Sequence, residues 1–233
     1  MGLMHEPTAT MKPAGAPRRT LSDLGPVAQL RAGRLGRRFV QLFVGLVLYG
    51  VSLALMVRSA LGLAPWDVLH SGFIQHVPMT LGQAVVLFSF LVLILWIPLR
   101  EKPGVGTIAN AIVIGMAADA TLALLDRPDA WGARIALLLV GVVGNGLATA
   151  LYIGAQLGRG PRDGLMTGLA RRTGRSLRLV RTSLEVTVVL LGLALGGALG
   201  LGTVLYAVAI GPLTQWMLPP LTVELREPIS TRE

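Results

Sequence analysis

Cysteine is absent from the 233 residues, which excludes disulfides, thiol catalysis and cysteine-ligated metals. Charge is also scarce: Asp, Glu, Lys and Arg make up 14% of the chain, against about 25% in soluble domains. Lysine occurs twice, at Lys12 and Lys102, and histidine three times. No residues show metal-ligand spacing, no nucleophile stands beside a base, and no glycine loop is shaped for phosphate. The expectation is therefore a protein that is not an enzyme and carries no cofactor or metal. No cleavable signal peptide is expected, because the first apolar run begins only after residue 38 and is long enough to span a membrane. Met4 and Met11 leave a later start open.

What is abundant is apolar. Hydrophobic residues make up 53% of the chain, with a mean hydropathy of +0.66. Six nearly uncharged runs stand out at about 39–57, 81–99, 104–125, 133–155, 179–197 and 200–218. Each has the length that crosses about 30 Å of hydrocarbon at about 1.5 Å per residue. The predicted class is an all-α, polytopic helical membrane protein with the lipid bilayer as its partner. The net charge of +9 invites a nucleic-acid reading. The basic residues flank the runs instead of forming a domain, so a topological signal explains them and nucleic acid is set aside as a partner.

The charge distribution orients the chain. Residues 1–38, with four prolines and five glycines, hold seven Lys/Arg. Segments 100–103, 156–181 and the stretch after 218 hold two, seven and two. Placed on one side, these account for 18 of the 21 basic residues, leaving Arg58, Arg127 and Arg134 opposite. The positive-inside rule then puts both termini in the cytoplasm of a bacterial inner membrane. Residues 1–38 and 219–233 are expected to be cytoplasmic tails, the first disordered to about residue 26 and ending in a basic collar of Arg31, Arg34, Arg37 and Arg38. Trp96, Trp131 and Trp216 fall near expected membrane interfaces.

The chain also repeats itself. Leu61-Gly62-Leu63-Ala64-Pro65-Trp66-Asp67 returns as Leu157-Gly158-Arg159-Gly160-Pro161-Arg162-Asp163, 96 residues later. The same step links Gly104-Val105-Gly106-Thr107 to Gly200-Leu201-Gly202-Thr203 and Ile114-Gly115 to Ile210-Gly211. The duplication defines repeat 1 as residues 39–125 and repeat 2 as residues 133–218. Each repeat has three spans, an odd number, so the second enters the membrane from the opposite side. Residues 65–72 then face outward and 161–168 inward, the inverted arrangement found in many transporters. Gly192, Gly196 and Gly200, and Ala207 with Gly211, have the spacing of close helix contacts.

In each motif a glycine-containing stretch leads to proline, then to an aspartate two residues on, then to a short helical pattern. Proline suits the first position of a helix, and an early Asp complements its exposed N–H groups. Two placements fit. Re-entrant half-helices would bring Pro65, Asp67 and His70 to Pro161, Arg162 and Asp163 near the membrane midplane, as a substrate site. Interfacial helices would lie flat with an apolar face on lipid. Arg162, whose counterpart is Trp66, would attract anions or pair with Asp163. Arg181 and Glu185 have the spacing of an ion pair within a helix. Asn110, Asp119, Asn145 and Gln215 are candidates to line a cavity or link helices. Thr107 and Thr203 are expected to start their spans or to back-bond.

Together, Leu61-Gly62-x-x-Pro65-Trp66-Asp67-Val68-Leu69-His70, Gly104-x-Gly106-Thr107, Gly158-x-Gly160-Pro161-Arg162-Asp163-Gly164-Leu165-Met166, Arg181-x-x-x-Glu185 and Gly200-x-Gly202-Thr203 resemble the YczE-like branch of the YczE/YyaS/YitT bacterial membrane-protein family over about residues 39–218. The chain departs from the YitT branch in lacking a soluble domain after the last span. The resemblance implies a multi-span inner-membrane protein and supplies no catalytic residues. The function expected is a small-solute or ion transporter or channel-like protein. Its rival is a membrane scaffold or regulatory partner that moves nothing.

Overall fold

A computed structural model describes Leu21 and residues 25–225. The disorder expected before about residue 26 and the end of the C-terminal tail fall almost wholly outside these residues. The described residues form nine helices and no strand: α1 (Pro26–Arg31), α2 (Leu35–Ser59), α3 (Pro65–Phe73), α4 (Leu81–Leu99), α5 (Val105–Leu124), α6 (Trp131–Gly154), α7 (Pro161–Thr173), α8 (Leu177–Ala194) and α9 (Leu201–Leu221). The protein is a multi-pass helical membrane protein. Helices α2, α4, α5, α6 and α9 are long and apolar enough to cross a membrane. Helix α8 coincides with the remaining predicted run, but its 18 residues include Arg178, Arg181 and Glu185.

Local chemistry sets the helix ends. Thr80 caps α4 with a reciprocal Thr80–Gln83 box. Helices α3 and α7 each open with proline as first residue after an extended Ala64 or Gly160. Thr107 and Thr203 open α5 and α9: their Oγ1 atoms accept from the N–H groups of Gly104 (3.0 Å) and Gly200 (3.4 Å). The tail is less bare than expected, since α1 forms at 26–31 and α2 already begins at Leu35.

Helix α2 packs along α6, with α5 against α2 and α9 against α6. Each short helix packs on a long helix of the other half, α3 on α8 and α7 on α4. Three apolar clusters fill the interior, around Leu46, Leu53 and Ile114, around Met56, Val142 and Ile210, and around Trp66, Trp96 and Val188.

The 96-residue step recurs in the hydrogen bonds. Gly106 N–H donates to the Leu157 carbonyl and Gly202 N–H to the Leu61 carbonyl, both at 2.8 Å. Gly62 and Gly158 hold φ of +128° and +131°, a region that needs glycine. A Cβ on Gly62 would also lie 2.7 Å from Thr203 N. Arg38 Nε and Nη2 donate to the Ala155 (2.8 Å) and Gln156 (2.7 Å) carbonyls. Arg134, 96 residues later, donates in the same way to Ser59 (2.7 Å) and Ala60 (2.9 Å). Each guanidinium thus satisfies carbonyls that end the first long helix of the other half, where a positive charge also suits the dipole.

Several expectations require correction. Arg38 does not stand in an exposed basic collar; it is fully buried, with its guanidinium on those carbonyls. Trp96 is not an interfacial anchor. It is 3% exposed, donates Nε1 to the Pro161 carbonyl at 2.9 Å, and fills space that Gly164 leaves open. The Gly192–Gly196–Gly200 ridge does not exist as a helix face, since α8 ends at Ala194 and only Gly192 is helical. That glycine lets the α3 backbone approach, and a Cβ there would lie 2.6 Å from Leu69 N. A Cβ on Gly211 would meet nothing within 4 Å and Ala207 is exposed, so the pair packs no helix among the described residues.

Candidate functional site

The two Pro-x-Asp motifs meet. Their prolines start α3 and α7, and Asp67 and Asp163 stand in the first turns. The short helices approach through N-terminal ends, where unpaired N–H groups and dipoles concentrate positive potential. Arg162 Nη2 lies 3.8 Å from Asp67 Oδ1, and its guanidinium sits over the Trp66 ring, 5.1 Å from the centroid. The sequence left Arg162 to pair with Asp163 or with an anion. It instead spans the two halves, because α7 presents it to the first turn of α3.

The two carboxylates are held differently. His70 Nδ1 lies 3.0 Å from Asp67 Oδ1, and its N–H donates to the carboxylate when the proton is on Nδ1. The Tyr152 hydroxyl donates to Asp163 Oδ2. The 96-residue counterparts of His70 and Tyr152 are Met166 and Met56, so neither arrangement is copied in the other half. The centre thus joins a buried Asp67 to a half-buried Arg162 and Asp163, at helix N-termini whose dipoles favour negative charge.

Residues 65–70 are all buried, which leaves α3 no free apolar face to lay on lipid. Beside the meeting point is a cavity of about 50 Å³ lined by Tyr49, Ser89, Asn110, Tyr152, Arg162 and Asp163, among others. That is room for one or two waters at about 30 Å³ each. A larger recess of about 340 Å³ reaches Asp163 from the end where α2 starts, and it is also lined by Thr167, Met166 and Arg181. Asp163 therefore borders both spaces, whereas Asp67 lines neither. Nearby, the buried Trp66 Nε1 and His70 Nε2 atoms have no hydrogen-bond partner.

The structure thus brings together Pro65, Asp67, His70, Pro161, Arg162 and Asp163, with Asn110 on the cavity wall. Other polar candidates lie elsewhere. Asn145 accepts from the Tyr206 hydroxyl at 2.9 Å. Asp119 links α5 to the start of α4, accepting from Thr80 Oγ1 and from Gly82 N–H (2.8 Å). Arg181 and Glu185 pair at 2.8 Å along α8, at the recess rather than the centre. Thr203 also accepts from Leu63 N–H at 3.1 Å, so it steadies the approach to α3. Gln215 is exposed on α9. Among the described residues, no three His, Asp or Glu side chains converge as a metal would require.

Sequence reasoning missed Tyr49, Tyr152 and Tyr206, and read Arg38 and Arg134 only as topological charges. The repeat carried a signal for most of them: the 96-residue step pairs Arg38 with Arg134, Tyr49 with Asn145, and Asn110 with Tyr206. The last two pairs swap tyrosine for asparagine. One combination, Tyr206 with Asn145, closes a hydrogen bond, and the equivalent combination, Tyr49 with Asn110, lines the cavity.

A family model described as a family of unknown function (DUF6198) matches residues 36–219. An uncharacterized protein of Haemophilus influenzae is 42% identical over 177 residues, covering 76% of this chain and 81% of that protein. The uncharacterized membrane protein YczE of Bacillus subtilis is 32% identical over 185 residues, covering 78% and 86%. YyaS of the same organism, also uncharacterized, is 26% identical over 180 residues, covering 76% and 90%. No solved structure matches the chain.

Proposed function

The chain belongs to the YczE/YyaS membrane-protein family, matched as DUF6198, and from that premise we propose that it moves a small polar solute or ion across the bacterial inner membrane. In this reading six helices span the bilayer as two inverted three-span repeats, with both termini in the cytoplasm. Helices α3 and α7 are re-entrant half-helices that meet at the midplane. The protein transforms nothing; it binds and releases.

One observation carries the reading: Arg162 of one short helix stands 3.8 Å from Asp67 of the other, at facing N-termini beside a cavity that Arg162 and Asp163 help to line. Interrupted helices at a repeat interface are a usual location of transporter sites. Carboxylates buried at membrane depth are costly and mark function. The cavity volume of about 50 Å³ restricts the solute to an inorganic ion or a molecule of a few heavy atoms. The recess beside Asp163 serves as the cytoplasmic vestibule, and the sealed surroundings of Asp67 make this the inward-facing form. Opening toward the other side would break the Arg162–Asp67 contact and free Arg162 to follow the solute. The scaffold alternative favours short helices flat on the surface and a dry interior, and the burial of α3 speaks against it.

The test is flux in proteoliposomes against a panel of small ions and solutes: alkali cations, ammonium, halides, formate and urea. At least one should cross faster than in protein-free vesicles, and Asp67→Asn or Asp163→Asn should each slow it at least tenfold. Absence of flux for the whole panel together with a stable co-purifying protein would favour the scaffold. Unchanged flux in both variants would remove the aspartates from the pathway.

A further inference from the structure

A groove of about 350 Å³ runs between the end of α7 and the first half of α8. It is walled by Leu169 and Thr173 of α7 and by Leu179, Leu184 and Thr187 of α8, with Arg175 in the turn between the helices. We infer that it seats an acyl chain of an anionic phospholipid whose phosphate lies at Arg175. The inference is independent of transport and needs only the membrane placement.

The duplication supplies an internal comparison. The 96-residue counterparts of Leu169, Leu184 and Thr187 are Phe73, Phe88 and Leu91. In the first half the Phe73 and Phe88 rings meet edge to face, centroids 5.2 Å apart, and tie α3 to α4. Ser183, which also lines the groove, replaces the larger Leu87. The side chains that join the first pair of helices are therefore the ones that shrink between the second pair, and the groove is the space they leave.

Shape, polarity and charge name the occupant. From Leu177 to Thr187, α8 rises about 15 Å at about 1.5 Å per residue, the depth of one leaflet of a hydrocarbon core about 30 Å thick. Two lining hydroxyls are already spent within their own helices: Thr173 Oγ1 donates to the Leu169 carbonyl and Thr187 Oγ1 to the Ser183 carbonyl, both at 2.8 Å. A polar solute finds few partners there, whereas an acyl chain regains the dispersion contacts that an unfilled apolar wall forgoes. Leu179, Val186 and Leu190 of α8 are 47%, 52% and 61% exposed, so the groove opens beside an apolar surface. Arg175 is exposed and makes no ion pair among the described residues. A free cation at the end of a leaflet-deep apolar groove suits an anionic headgroup, as basic sites at the cytoplasmic level do.

The experiment titrates the full chain in detergent micelles with fluorescent phosphatidylglycerol, competed by phosphatidylcholine and by glycerol phosphate. Wild type should prefer phosphatidylglycerol to phosphatidylcholine about fivefold, the value of about one basic contact, and Arg175→Gln should abolish that preference. Glycerol phosphate should compete poorly. Leu169→Phe combined with Leu184→Phe installs the aromatic pair of the first half and should weaken phosphatidylglycerol binding at least tenfold, with no fall in the thermal unfolding midpoint. Ser183→Leu fills the groove from α8 alone and should weaken binding about threefold, which gives a reading even where the double variant misfolds. Leu190→Phe makes the same exchange at an exposed position beyond the groove and should change binding less than twofold. Unchanged binding in the filled variants, or an equal loss in Leu190→Phe, would overturn the groove as the site. Equal affinity for the two lipids would overturn the anionic assignment, and competition by glycerol phosphate as strong as by the lipid would overturn the acyl chain.

Discussion

The contact between Arg162 and Asp67 is a sharp point at which to test the fold, because it joins the two halves through their short helices. Two unit charges 3.8 Å apart attract by about 4 kcal/mol at an effective dielectric of 20 and by about 1 kcal/mol at that of water. The Arg162 side chain is 20% exposed and that of Asp67 5%, so the interaction falls between these limits, near 2 kcal/mol. Asp67→Asn and Arg162→Gln should each destabilise the protein. Arg162→Gln should cost more, because it strands the more deeply buried partner with His70 alone. The double variant should recover part of the loss. Equilibrium unfolding in mixed detergent micelles of wild type, both single variants and the double variant yields the coupling directly. A coupling of 1–3 kcal/mol is expected. A value below about 0.5 kcal/mol would refute the view that this pair holds the half-helices together.

Further outcomes follow from packing and capping. Gly164→Ala would place a Cβ 1.9 Å from the Trp96 ring, which is buried and bonded to Pro161, so thermal unfolding should report a loss of about 1–3 kcal/mol. Gly132→Ala, with no neighbour within 4 Å, should stay within about 0.5 kcal/mol of wild type. Arg134→Gln removes charged hydrogen bonds to Ser59 and Ala60 and should cost about 3 kcal/mol. Arg38→Gln should cost a similar amount at the other end, and a loss confined to one of the two would contradict their equivalence.

The legible part of this protein was its periodic part. Long apolar runs announce helices, and the observed boundaries of α4 and α5 differ from the predicted runs by at most one residue. The doubled Pro-x-Asp motif located the centre, because proline and an early aspartate have a physical reason to begin a helix. The partners were not legible. Arg38 resembles any other arginine of the collar until the carbonyls ending α6 are seen beside it. Trp96 sits at an interfacial sequence position, yet the space above Gly164 draws it inside. Arg162 gave no sign of its partner, since packing of α7 on α4 and α3 on α8 crosses the two halves, a tertiary choice that hydropathy does not encode. Tyr152 carries no repeat signal, its counterpart being Met56.

The central claim is that the two motifs enter the membrane from opposite sides. The absence of native cysteine makes single-cysteine labelling in intact cells its most direct test. Pro78→Cys and Arg175→Cys place one thiol at an exposed position beyond each short helix. A membrane-impermeant maleimide should label Pro78→Cys from outside and Arg175→Cys only after the membrane is permeabilised. Labelling of both positions from the same side would contradict the inverted arrangement.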